Sequence, residues 1–431
     1  MVLLPKRASQ IELALIVLVT LVLSGGPSAI YVKLFNYAPP VPEKTVFLPV
    51  LMLMGLHMML RLREVVLGSL VSWAWLGVAL LALASTRWSI SPSDTFREAI
   101  VMVVAVPWIA MIATIADWRD IVSRMWVACV ILLFASVALY GLVPRLGQMQ
   151  DIYAGAFIGL WHEKNMTGQF LSVTAMLSLA RLAMHPRTAL SSIMIWGISV
   201  VLLVPTQSAT SLVATGLASG LVLWVYVMRR HFVISIPGLV ATILLAAPIG
   251  LLLVGVGDDV LRTLGKSGTL SGRVPIWDAL RDYALSERPR WGHGYDAYWS
   301  DAYSFGQREL IFDQLGFEAR HAHNALMEMR LALGSVGTFF WLAAAVQGAL
   351  FAFLRIRSSS GAYLAIPFAL SAIPFAAVEV SLTSVANVQG MLFVLIVAKM
   401  SWLPSEADRT YATQGVLRGL TQRPQAQPAL A

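Results

Sequence analysis

The sequence predicts an all-α membrane protein of about twelve transmembrane helices, with one large loop domain between spans nine and ten. Three observations predict this. Of the 431 residues, 58% are hydrophobic and 13% charged, against roughly 25% charged in a soluble domain. The mean hydropathy is +0.73. Apolar stretches of about 18 or more residues recur, the length that a helix rising about 1.5 Å per residue needs to cross roughly 30 Å of hydrocarbon. The sequence lacks the short alternating segments of a spanning barrel.

In chain order the expected spans are residues 11–24, 46–60, 68–85, 99–116, 121–143, 166–184, 191–205, 211–228, 232–255, 325–354, 362–380 and 385–402. The first two are short for full spans. The tenth is long enough to begin outside the hydrocarbon. Basic residues set the orientation, because cytoplasmic loops keep an excess of them. With the N-terminus inside, the even-numbered gaps hold Arg61 and Arg63, then Arg119, Arg181 and Arg187, Arg229 and Arg230, Arg355 and Arg357, and finally Arg409 in the tail. The opposite face then receives loops 88–97, 144–165, 206–210 and 256–323. The expected organisation is therefore 1–255 for spans one to nine, 256–323 for an external loop domain carrying the site, 324–403 for spans ten to twelve, and 404–431 for a cytoplasmic disordered tail.

The net charge of +8 sits singly at the ends of apolar runs and forms no stripe, so it marks membrane topology and points to no nucleic acid. A single cysteine, Cys129, excludes an intrachain disulfide and a cysteine metal site. No small-residue cleavage site follows the segment beginning after Lys6 and Arg7, so that segment reads as a retained span.

The strongest local signal is His321-Ala322-His323-Asn324, where the long loop returns to the membrane. An imidazole titrates near neutral pH and takes a proton from a hydroxyl. No cysteine or acidic set completes a metal site with the two histidines, so no metal is expected; a solvated pair without a role is the plainer alternative. Gly334 and Gly337 read as helix-packing positions that help to fix the helix aiming His323. In Ser271-Gly272-Arg273 the arginine's planar fork suits a phosphate or pyrophosphate, and the alternative is a surface arginine. The run Trp161-His162-Glu163-Lys164-Asn165 places Lys164 on the same face, where charged groups also commonly reach for lipid headgroups. Within the loop domain, 275–285 reads as helical and Trp291-Gly292-His293-Gly294 as a turn. Phosphate-cradling and dinucleotide motifs are missing, so nucleotide chemistry has no anchor. Carboxylates in the spans are nearly missing too: Glu12 and Glu379 fall near span ends and Glu328 one turn beyond His323, which weakens an ion-coupled transporter.

Together these residues resemble the O-antigen ligase and Wzy-type polysaccharide polymerase family, which includes the exopolysaccharide polymerases. The sharpest element is a histidine followed by an amide, nine residues and two glycines: His323-Asn324, then Gly334 and Gly337. Supporting pieces are Ser271-Gly272-Arg273 with Trp277, the turn at Trp291, Trp88-Ser89 with Pro92 and Arg97, and Lys164-Asn165. In one departure, Gln207-Ser208-Ala209-Thr210 stands where many members carry a cation, and Lys164 is expected to supply that charge.

The resemblance implies transfer of a glycan from an undecaprenyl-diphosphate carrier to a sugar hydroxyl, at the periplasmic face of a bacterial inner membrane, with both termini cytoplasmic. His323 would be the general base and Arg273 would stabilise the leaving diphosphate. Lys164, Asn165, His321 and Asn324 would bind or orient substrate. No cofactor or metal is implied. The acceptor is a second lipid-linked glycan in a polymerase and lipid A-core in a ligase, and the polymerase is the closer likeness. Membrane lipid, a flippase and a chain-length regulator are the implied partners. A flippase or transporter, with the long loop as a gate, remains the reading from another class.

Overall fold

The computed structural model describes residues 7–36, 40–150, 153–231, 273–300 and 320–402, without the side chain of Tyr283. The expected ninth span, loop segments 256–272 and 301–319 with Ser271 and Gly272, and the tail lie outside the described residues.

The described residues are helical, with no strand beyond an isolated bridge between Gln148 and Phe157. We label the helices α1 (Gln10–Leu23), α2 (Gly26–Leu34), α3 (Leu48–Leu60), α4 (Leu62–Val71), α5 (Trp73–Ser85), α6 (Pro92–Ile115) and α7 (Trp118–Leu142). They continue as α8 (Lys164–Met184), α9 (Ala189–Thr206), α10 (Ala209–Arg230), α11 (Arg273–Ala279), α12 (Ala325–Leu354), α13 (Ala362–Val378) and α14 (Val388–Ser401). Among the described residues 6 helices are long and apolar enough to cross a membrane, or 8 spans if each of two bent pairs counts as one. Shorter apolar helices are α13 and α14. The expected all-helical membrane architecture is borne out; the count of twelve is not reached among these residues.

The sequence explains the layering. Helix α14 is apolar apart from Gln389 and Lys399 near its ends and buries every residue from Val388 to Met400, as a helix without a continuous polar face does. It packs against α6 and α12. Helix α9 has only 22% of its most apolar window buried, leaving Leu190, Val201 and Val204 facing outward as lipid-facing side chains do.

Two expected spans are bent. Residues 68–85 were expected as one span but cover the end of α4 and all of α5, which meet at 100° across Ser72. The bend lets α4 lie against α6, where a Cβ on Gly68 would stand 2.4 Å from the Ala110 carbonyl oxygen. The first span continues past 24 as α2, turned by 42° at Gly25, whose φ of 78° favours glycine.

The longest helix, α12, is broken at Gly334 (φ 63°, ψ −161°). A break inside a span frees backbone groups that must find partners. The turn at Trp291 supplies them: His293 N–H donates to Leu331 O at 2.7 Å, Gly294 N–H to Ala332 O at 3.0 Å, and Ser335 N–H to Pro289 O at 2.9 Å. Gly334 is thus more than the packing position expected, because its backbone conformation and the closeness of Arg290, 2.3 Å from a would-be Cβ, both exclude a side chain. Gly337 faces the Leu333 side chain displaced by the same break.

Candidate active site

The peptide of Ala322 is held from both sides. Its N–H donates to Glu328 Oε2 at 2.8 Å, and its carbonyl accepts from Trp277 Nε1 at 2.8 Å. The flanking residues His321 and His323 are thereby aimed. His323 adopts φ 46°, a left-handed conformation that costs a side-chain-bearing residue about 1 kcal/mol or more, so the clamp holds it there. Asn324 then caps α12, accepting from Met327 N–H at 3.0 Å, and its amide donates to Ala377 O at 3.2 Å. The motif's amide therefore ties the start of α12 to the end of α13.

Arg273 and Trp277 lie one turn apart on α11, hence on one face. While Trp277 reaches Ala322, Arg273 Nη2 donates to Glu379 Oε1 at 2.8 Å. The other oxygen of Glu379 stands 3.9 Å from His323 Nδ1. Arginine, glutamate and histidine thus meet at one point. Glu379 follows the last turn of α13 and is buried. The Arg273 guanidinium is the cation that balances this buried carboxylate. Burial, with His321 and Arg273 close by, holds the His323 imidazole far below its usual range and keeps it neutral.

Beside this point lies a cavity of about 310 Å³. Its charged lining includes Lys44, Glu98, Glu163, Arg320, His321 and Glu379. Trp161, Tyr295 and Trp299 add aromatic walls. His321 Nε2 faces Glu163 Oε2 at 3.9 Å, and its ring stands edge-on to that of His323 with centroids 4.0 Å apart. Burial lowers His321 as well. At the other end Lys44 pairs with Glu98 at 3.2 Å. His323 is not among the described lining residues; its nearest lining neighbours are His321 and Glu379.

Lys164 and Asn165 open α8 and neither is among the described lining residues. Lys164 Nζ donates to Gln207 O at 3.3 Å and lies 3.2 Å from the centre of the Tyr153 ring. Its charge therefore sits at the turn around Gln207. Asn165 is half-buried on the first turn.

Loops expected on one face touch one another. Ile90 N–H donates to His293 O at 2.9 Å, Trp88 Nε1 to Trp291 O at 3.2 Å, and Lys164 reaches Gln207. A Cβ on Gly294 would meet the Ser89 hydroxyl. Sequence reasoning passed over Glu379 and gave Glu163 no role of its own. The available signal was cost: a buried carboxylate beside an apolar span is unfavourable unless it is paired, so each one calls for a partner.

Fold and site together define a polytopic membrane protein with a histidine, arginine and glutamate centre at one end of its helix bundle. The O-antigen ligase family model matches residues 193–342, which contain Arg273, His321, His323, Asn324, Gly334 and Gly337. The chain is also 26% identical over 284 residues to the exopolysaccharide production protein ExoQ of Rhizobium meliloti strain 1021, covering 63% of each chain. That is less than two thirds of the relative's length. These matches bear out the resemblance to the O-antigen ligase and ExoQ-like family.

Proposed function

We propose that this protein is an inner-membrane glycosyltransferase that moves a glycan from an undecaprenyl-diphosphate carrier to a sugar hydroxyl, polymerising the repeat units of an exopolysaccharide or O-antigen. The observation that carries this reading is the meeting of Arg273 and His323 on Glu379. It supplies a neutral base, and a cation suited to a diphosphate, within one site.

In the reaction, the donor diphosphate draws Arg273 away from Glu379. The carboxylate, left without its cation, turns to His323 Nδ1–H, and this raises the basicity of the far ring nitrogen. The acceptor hydroxyl gives its proton to His323 while its oxygen attacks the anomeric carbon. The bond to the diphosphate breaks, its electron pair goes to the phosphate oxygen, and Arg273 stabilises that charge with Lys164 contributing at longer range. One displacement of this kind inverts the anomeric centre and uses no metal or nucleotide. His321 and Asn324 orient the base and acceptor, and Asn165 stands at the mouth of α8 beside Lys164. The loop domain covers the glycan from the periplasmic side, and the termini lie in the cytoplasm.

The name of the similar exopolysaccharide production protein favours a polymerase over a ligase acting on lipid A-core. Purified protein is given a defined lipid-linked donor with either a second lipid-linked glycan or lipid A-core, without ATP or an ion gradient. Elongation of the lipid-linked glycan supports the polymerase, and transfer to lipid A-core the ligase. No transfer to either acceptor, with donor crossing the bilayer in vesicles, overturns both in favour of a transporter.

A further inference from the structure

The transfer reaction leaves one proton to be moved on, because His323 must be neutral again before the next hydroxyl arrives. Its surroundings give that proton few exits. His323 faces Arg273 and Glu379 on one side and the ring of His321 on the other. His321 is the histidine that lines the cavity. Its Nδ1 is buried and has no hydrogen-bond partner among the described residues, while Nε2 faces Glu163. Arg320 and Arg273 are its other charged neighbours. Two imidazoles with centroids 4.0 Å apart in such a setting do not both hold an extra proton, yet they are close enough to exchange one directly or through one water.

We propose that His321, oriented by Glu163, is the second station of a proton relay, taking the acceptor's proton from His323 and handing it to the departing lipid diphosphate. This rests on the glycosyl transfer reading. The N–H bond formed on His323 breaks as one forms on His321. His321 then releases a proton from its other ring nitrogen, and a phosphate oxygen of the leaving group receives it. Acceptor and lipid-linked glycan become the glycoside and the protonated lipid diphosphate, so charge and atoms balance without a co-reactant. Glu163 acts through His321 and is a positioning residue.

Rapid-mixing transfer assays in detergent test this, using a defined lipid-linked donor and a lipid-linked glycan acceptor. His321→Gln is expected to complete one fast transfer per protein molecule and then turn over about 10²-fold more slowly. Added imidazole should restore the slow phase. Glu163→Gln should show the same two phases in milder form, and Glu163→Asp should recover most of the rate. The relay is overturned if His321→Gln keeps the wild-type steady rate, or if it and Glu163→Gln are slow from the first turnover and indifferent to imidazole. Failure of the wild-type protein to transfer at all would instead overturn the transfer reading itself.

Discussion

The two ends of the bundle treat buried charge differently. At the end away from the cavity, Glu12 is fully partnered: Arg61 Nε donates at 2.8 Å, Arg61 Nη2 at 3.0 Å, and Ser9 N–H at 2.6 Å. His57 has both ring nitrogens engaged, since Trp108 Nε1 donates to Nδ1 at 3.1 Å and Nε2–H therefore donates to Glu12 at 2.9 Å. At the cavity end, His321 and His323 stand 3.9 Å from their carboxylates, and the Nδ1 atoms of both have no hydrogen-bond partner among the described residues. A closed network fixes structure, whereas loosely held groups in a cavity keep their hydrogen-bonding capacity for a substrate. The contrast separates a lock from a site by geometry alone.

The sharpest way to break that contrast is His323→Ala. Removing a general base lowers kcat by about 10²–10⁴-fold, while the protein stays inserted and keeps its donor affinity; transfer assays beside donor-binding measurements check this. Undiminished turnover would remove His323 from the chemistry. Arg273→Ala comes next, with kcat for the lipid-linked donor down by roughly 10²–10³-fold and the acceptor KM little changed. An effect confined to the acceptor would reassign the guanidinium.

Gly334→Ala tests the helix break that holds the site loop. An alanine forced to a φ of 63° costs about 1–3 kcal/mol, and here it also meets the Arg290 backbone. The melting temperature in detergent should fall together with activity. At the locked end, His57→Ala leaves the indole N–H of Trp108 unpaired and should cost about 1–3 kcal/mol of stability, with kcat per folded molecule unchanged. A large loss of kcat there would dissolve the distinction between the two ends. The smallest effect concerns pH. The free enzyme's His323 is held well below the usual histidine range, so its base form persists as pH falls through about 6.5. kcat/KM, which reports groups of the free enzyme, should show no acid limb there from His323, and an acid limb near that pH that disappears in the His323→Ala background would refute the assignment.

Much of the site was legible because its chemistry is carried by residue types rare in an apolar chain. His321, His323 and Arg273 stood out from their surroundings, and the structure brings them together. Lys164 reaches the 206–210 turn through the Gln207 carbonyl. Glu379 was dismissed as a residue near a span end because its partners lie 106 positions away at Arg273 and 56 away at His323 by their numbering. The right angle between α4 and α5 was equally hidden, since hydropathy measures the apolar length of a segment and carries no information on its direction.

The sequence by itself determined the solvent this chain folds in, its helical class and the residue types available for chemistry. These follow from hydrocarbon's intolerance of unpaired backbone and charge, which acts on each segment locally. Only the tertiary structure decided which carboxylate each histidine faces, that the Trp291 turn completes the broken α12, and that Ala322 is clamped so both imidazoles converge. Those outcomes depend on hydrogen bonds between segments far apart in the chain, each fixed by distance and angle, and no local pattern encodes them.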